Sequence, residues 1–336
     1  MGKNLRTRML ISLALGIVVV FGLLIYSDFG AVAEALSRFR WQYMPLILAL
    51  SLSNYFLRFV KWHLYLGKVG VNGLSKRDSF YIFGSGLAMA ITPGKVGEWL
   101  KCYLLNQSHG TPIGRSTPVI IAERVTDTLA MILLALGGLI AFGAGWQVIA
   151  AALALTVGVI ALARYRPLAL RMLSWLSRPR LLSKWVGSIE HFYESAYVLS
   201  GIRNVAWATL LSLASWFGEC LGLYLVMLGL GVDGGWMVLL SITFINAVSS
   251  LAGALLMLPG GLGATEGGIA GLSQLLLGVS RGLAGAATLI FRLCTLWFAV
   301  AFGIAMLLLA TRRMESIQKA GKTASNQPAP SPLRTS

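Results

Sequence analysis

Apolar residues in this chain fall in long runs separated by short polar or basic segments. Runs at 9–27, 44–66, 117–144, 146–163, 204–230 and 284–310 each approach or exceed the roughly 20 residues that a helix needs to cross a bilayer. Two further apolar stretches, 79–107 and 236–280, are interrupted by Pro93-Gly94 and by Pro259-Gly260-Gly261. Proline removes a backbone donor and clashes with the preceding turn, while glycine permits a sharp reversal. Each stretch is therefore expected to form two short helices joined as a broken hairpin. Irregular backbone cannot face lipid, so both turns should be buried in protein or line a wet cavity. The pattern predicts an all-α polytopic membrane bundle of about six full transmembrane helices plus two re-entrant hairpins.

Composition supports this class, because only 12% of residues are charged, about half the share of a soluble protein. The net charge of +16 could suit a nucleic-acid binder, but the basic residues lie in short segments flanking the apolar runs. Cytoplasmic loops accumulate Lys and Arg in this way, so the excess reads as topology and no nucleic-acid partner is expected. Lys3, Arg6 and Arg8 place the N-terminus inside. Ala31-Val32-Ala33 resembles a signal-peptidase site, but the preceding run is long for a signal peptide and ends well before it. The first helix is expected to stay uncleaved, with residues 28–43 as an outer loop.

Segment 164–203 carries Arg164, Arg166, Arg171, Arg178, Arg180, Lys184 and Arg203 and is placed in the cytoplasm. Within it Leu181, Trp185, Ile189, Phe192, Ala196 and Leu199 recur at helical spacing, predicting an amphipathic helix on the inner leaflet or against the bundle. A disordered cytoplasmic tail is expected over 312–336. The chain thus divides into 1–43, a first membrane repeat 44–163, the basic linker 164–203, a second repeat 204–311 and the tail. Both termini are expected on the cytoplasmic side of a bacterial inner membrane. Arg38, Arg40 and Arg281 fall on the outer side, against the charge rule.

The two blocks echo one another. Ser51-Leu52-Ser53-Asn54-Tyr55-Phe56 is matched by Ser212-Leu213-Ala214-Ser215-Trp216-Phe217, and Gly70-Val71-Asn72-Gly73 by Gly231-Val232-Asp233-Gly234. Pro93-Gly94-Lys95-Val96-Gly97-Glu98 is echoed by Pro259-Gly260-Gly261-Leu262-Gly263, with Glu266 shortly after. Arg124 and Arg292 follow in the same order. Counting the crossings gives the repeats opposite orientations, the first hairpin entering from inside and the second from outside. Inverted repeats with interrupted helices are the plan of many secondary transporters, whose sites lie near the midplane.

Candidate chemistry centres on charges inside the runs. Arg124 and Asp127 are three residues apart and Glu123 and Asp127 four, so one helix face can hold all three. Arg124 would lie roughly 10 Å deep, and Arg292 enters from the other side. Insertion scales charge about 2.5–3.5 kcal/mol for such a residue, so both need internal partners. An ion pair holding the bundle and contact with a substrate are the two readings. Arg58 sits toward the inside, and Glu219 occupies the related turn of the second half. Glu98 and Glu266 could cap the helices after each turn or pair with arginine. The helix starts after Gly97 and Gly263 could offer N–H groups to a phosphate. Lys95 and Lys101 could draw an anionic head group or merely mark the cytoplasmic face, and Lys61 is near enough to the interface to snorkel without a role.

Other chemistry finds little support. Cys102, Cys220 and Cys294 stand far apart, and His63, His109 and His191 form no metal-ligand spacing. No cofactor is expected, and no GxxxxGK loop followed by Ser or Thr occurs for a nucleotide. The segments outside the membrane are too short to fold a transferase domain, so an enzyme is not expected.

At these motifs the chain resembles the lysylphosphatidylglycerol synthase transmembrane-region family of flippase-like proteins. The carrying segments are Thr92 to Glu98, Glu123-Arg124 with Asp127, Leu258 to Glu266, and Phe291-Arg292. The family often has a Pro-x-Pro before the Gly pair, where Met257 stands here. The resemblance implies lipid translocation, with Arg124, Arg292, Glu98 and Glu266 as the residues to carry over, and does not name the lipid; the buried arginines lead to the expectation of an anionic or polyprenyl-phosphate lipid. The resemblance also implies an alternative: a non-catalytic membrane subunit that positions a separate lipid-modifying enzyme.

Overall fold

The computed structural model describes residues 16–92, 98–142, 146–165 and 186–325, and these form helices with no strand among them. In order they are α1 (Gly16–Ser27), α2 (Phe29–Ser37), α3 (Met44–Lys68), α4 (Lys76–Leu87), α5 (Trp99–His109), α6 (Ile113–Phe142) and α7 (Trp146–Arg164). After the linker come α8 (Val186–Leu199), α9 (Ile202–Gly229), α10 (Trp236–Leu255), α11 (Ala264–Leu277), α12 (Arg281–Arg292) and α13 (Phe298–Ser325). Five described helical stretches are long and apolar enough to cross a membrane, six if the bent α1–α2 pair counts as one. The 30 residues of α6 also exceed the length of a crossing helix.

The expected outer loop after α1 is instead helical. Asp28 turns the chain at φ 64 and its carboxylate accepts the Gly30 N–H at 2.9 Å, capping α2. The α1–α2 bend is 93°, and Val32 of α2 is buried. The linker helix α8 packs against α6, and Leu199 joins a core with Tyr65 and Val119. Packing on the bundle is thus how this amphipathic face is used; Leu181 and Trp185 lie outside the described residues. At the other end α13 continues to Ser325, past the point where a disordered tail was expected. Arg313 explains part of this, because its Nε donates to Asp78 Oδ1 at 2.5 Å and ties α13 to the start of α4.

Helix α3 runs antiparallel to α9. Arg40 N–H, just before α3, donates to Gly229 O at 2.9 Å, Asn54 Nδ2 to Ser215 O at 3.1 Å, and Lys61 Nζ to Ser212 Oγ at 2.7 Å. The middle contact joins residues 161 apart, the same offset that relates the two repeats in the sequence. One matched pair, Asn54 and Ser215, therefore meets across the antiparallel helices.

Each interrupted stretch is two helices. In the first, α4 packs on α5; Pro93, Gly94, Lys95 and Gly97 at its turn lie outside the described residues. In the second, α10 and α11 pack side by side around Pro259–Gly261, with Gly260, Gly261 and Gly263 at φ 60, 70 and 88. The legs touch so closely that a Cβ on Gly253 would lie 3.1 Å from Gly261 Cα. Small residues of this kind let backbones approach where lipid supplies no hydrophobic drive. Met257 adopts φ 51, a conformation that a proline ring forbids. This chain thus makes the bend with a left-handed residue at Met257.

Candidate functional site

The polar residues of the interior are not scattered. Along α3, Ser51, Asn54, Arg58 and Lys61 share one stripe at spacings of three and four, and this stripe faces α6 and α9. On α6 the same spacing brings Arg124 and Asp127 together, with Arg124 Nη2 3.3 Å from Asp127 Oδ2. Glu98 stands at the N-cap of α5 and reaches both arginines: Oε2 is 3.4 Å from Arg124 Nη2 and Oε1 is 4.0 Å from Arg58 Nη2.

In the second half Arg292, the last residue of α12, donates from Nε to Glu266 Oε1 at 2.5 Å and from Nη2 to Gly260 O at 2.7 Å. Glu266 Oε2 accepts the Gly263 N–H at 2.7 Å. Glu266 therefore both caps α11 and pairs with arginine, the two roles that the sequence left open. Of the N–H groups at the start of α11, that of Gly263 is held by this carboxylate. Arg292 and Glu266 are 26 residues apart, and Arg124 and Glu98 have the same separation. Each half thus carries one Glu–Arg pair joining its hairpin to a later helix. Immediately after Arg292 a π-helical turn, Leu293–Trp297, bulges the helix, and Tyr55 OH donates to Thr295 O at 2.8 Å. Single π turns of this sort are frequent at functional sites.

Both halves open on one cavity of about 420 Å³. Arg58, Glu98, Arg124, Asp127, Glu219 and Arg292 line it, together with Gly260 and Gly261 of the turn. Tyr55 and Trp216, which are matching repeat positions, also face it. Apolar side chains, among them Ile121, Leu155 and Met257, complete the wall and are themselves exposed on the outside of the bundle.

Glu123 does not join Arg124 at the cavity. It is buried and accepts from Lys101 Nζ at 2.7 Å. Lys101 is buried too, its ammonium 4.4 Å from the centre of the Trp62 ring. It lies on the cavity wall, with its charge already paired. Lys61, which the sequence suggested would snorkel without a role, is 1% exposed. Its Nζ donates to Asp127 Oδ1 at 2.5 Å, Ser212 Oγ at 2.7 Å and Thr126 Oγ1 at 3.3 Å. The polar stripe on α3 was the available signal for Lys61, because a residue on that stripe cannot also face lipid.

Among the described residues, five cations (Arg58, Lys61, Lys101, Arg124, Arg292) and five carboxylates (Glu98, Glu123, Asp127, Glu219, Glu266) line or back the cavity. Their formal charges cancel, which is how so many ionised groups can be kept from water. The pairing is uneven, however. Lys61, Lys101 and Arg292 are each hydrogen-bonded to a carboxylate. Among the described residues, Arg58 and Arg124 have carboxylates only at ion-pair distance, and Arg124 Nε and Nη2 have no hydrogen-bond acceptor. These two arginines are thus the cations most ready to take a new oxygen ligand. No group of three or more His, Cys, Asp or Glu suited to a metal exists among the described residues.

Comparison with known proteins agrees with the architecture. Three relatives, each a UPF0104 membrane protein of Methanothermobacter thermautotrophicus, are similar over most of their length. One is 25% identical over 320 residues, covering 88% of this chain and 93% of its own. Another is 26% identical over 290 residues, covering 78% and 81%, and a third 25% over 323 residues, covering 86% and 90%. The model of the lysylphosphatidylglycerol synthase TM region matches residues 10–303, so the chain is a multi-pass membrane protein belonging to that family.

Proposed function

We propose that this protein is a flippase: it moves a phosphate-bearing lipid between leaflets and makes or breaks no covalent bond in it. The observation that carries the reading is the single cavity onto which Arg58 and Arg124 of the first half and Arg292 of the second all open. A phosphate suits the planar donors of arginine, and the apolar wall suits the adjoining lipid chains. An incoming phosphate competes with Glu98 for Arg124, because their contact of 3.4 Å lacks hydrogen-bond geometry. Glu98 stays in the cavity, so the added negative charge requires a proton or cation to enter with the head group.

The meeting of one matched pair, Asn54 and Ser215, across antiparallel α3 and α9 supports an inverted repeat, with each hairpin re-entrant from its own side. Alternate closure of the two hairpins, each held by its Glu–Arg pair, carries the head group across while the chains stay in lipid. In this reading both termini lie on the cytoplasmic face of an inner membrane. The test is reconstitution in liposomes containing labelled anionic, zwitterionic, aminoacylated or polyprenyl-phosphate lipids, with label accessibility on the far leaflet as the readout. Selective movement above protein-free liposomes is expected. No movement by a folded sample would overturn the reading in favour of a membrane subunit that positions a separate enzyme.

A further inference from the structure

Lys61 is a buried cation that neither the repeat nor the cavity accounts for. Its match in the second half, at the offset of 161, is Gly222. Asp127, taken at the offset that relates Arg124 to Arg292, matches Thr295. The Lys61–Asp127 pair therefore belongs to the first half alone, and Lys61 is absent from the cavity wall. Its ammonium sits among three oxygen acceptors from α6 and α9. Ser212 Oγ donates in turn to Asp127 Oδ1 at 2.9 Å.

Two donors thus converge on Asp127 Oδ1 and hold that carboxylate toward α3 and α9. The other oxygen, Oδ2, is 3.3 Å from Arg124 Nη2 but makes no hydrogen bond with it. Without the pull from Lys61, Asp127 would be free to turn to the guanidinium three residues away on its own helix. A buried carboxylate and arginine left to themselves form short, charge-assisted hydrogen bonds. That pairing would close Arg124 to any other anion.

We infer that Lys61 is a positioning residue of the lipid site: a tethered counter-cation that occupies Asp127 and so keeps Arg124 open for a phosphate. The inference rests on the flippase reading above. It differs from a purely structural salt bridge in what it requires of Arg124. Loss of Lys61 makes the arginine less reactive, whereas loosening the fold would make it more so.

The experiment uses full-length protein in nanodiscs, as wild type, Lys61→Met and Lys61→Met/Asp127→Asn. Two quantities are measured: the rate at which phenylglyoxal modifies Arg124, by peptide mass spectrometry, and the affinity for labelled phosphatidic acid against labelled diacylglycerol. The expected result is slower modification in Lys61→Met, with phosphatidic acid binding weakened about tenfold, the worth of one charge-assisted hydrogen bond. Diacylglycerol binding stays unchanged. The double variant, which removes the competing carboxylate as well, returns both quantities to near the wild-type values. Unchanged or faster modification in folded Lys61→Met would overturn the inference. So would loss of phosphatidic acid binding in the folded double variant, which remains decisive if the single variant fails to fold. Wild-type protein that does not prefer phosphatidic acid to diacylglycerol would instead sink the lipid-phosphate reading itself.

Discussion

Replacing Glu266 by Gln isolates the part played by the second Glu–Arg pair. Glutamine has the same shape and one carbonyl oxygen, so it can still accept the Gly263 N–H that Glu266 now holds at 2.7 Å. What disappears is the counter-charge of Arg292, whose side chain is 13% exposed. Breaking a buried pair by removing one partner costs about 3–5 kcal/mol. Arg292 keeps its bond to Gly260 O and borders a cavity, so the lower end applies, about 3 kcal/mol. At about 2–4 °C per kcal/mol, that is a fall in Tm of roughly 6–12 °C. A thiol-reactive dye reports unfolding well here, because Cys102, Cys220 and Cys294 are all buried. Adding Arg292→Met removes the orphaned charge and should recover at least half of the loss, since the two substitutions act on one pair. A Tm for Glu266→Gln within about 2 °C of the wild type, less than 1 kcal/mol on the same scale, would refute the idea that this pair holds the hairpin turn.

Arg124→Ala should abolish lipid movement in the liposome assay and, because it leaves Glu98 and Asp127 short of a counter-charge, lower the Tm as well; normal transport by the folded variant would remove Arg124 from the site. Gly260→Ala forces a side chain into φ 60 and should cost about 1–2 kcal/mol in the thermal assay. Gly267→Ala, on a helix with open space around the new Cβ, should be neutral or stabilising by up to about 1 kcal/mol. For Asp78, burial pushes the carboxyl pKa up, but hydrogen bonds from Arg313 and Ser75 outweigh this and hold it below the usual carboxylate value. A depressed folded pKa means that the tie to α13 stabilises fully above about pH 3.9 and is lost as pH falls through the lower folded value. The Tm of wild type should therefore exceed that of Asp78→Asn at neutral pH, and the gap should close in acid.

Sequence alone was enough for the class of fold, for the two interrupted stretches and for the internal echo. These are written in local terms: run length, Pro-Gly breaks and residues recurring at a fixed offset. Glu266 and Arg292 could likewise be named in advance, since an ionised residue inside an apolar run must have a partner. Which partner it takes is not local information. Arg292 reaches the turn carbonyl of Gly260, Glu123 turns away to Lys101, and Lys61 faces the interior instead of the interface. Each outcome depends on which helices lie alongside, here α3 against α9 and α5 against α6, and the spacing within one helix cannot encode that. The helix α2 was also hidden, because nine residues are too few to show as a membrane run and gain their stability from packing on α12. Tertiary structure alone decided that the buried charges of the described residues balance, and that among them Arg58 and Arg124 are left without a hydrogen-bonded carboxylate. Low-dielectric surroundings penalise every unpaired charge, so the fold distributes the partners, and the residues it leaves short are visible only once all of them are in place.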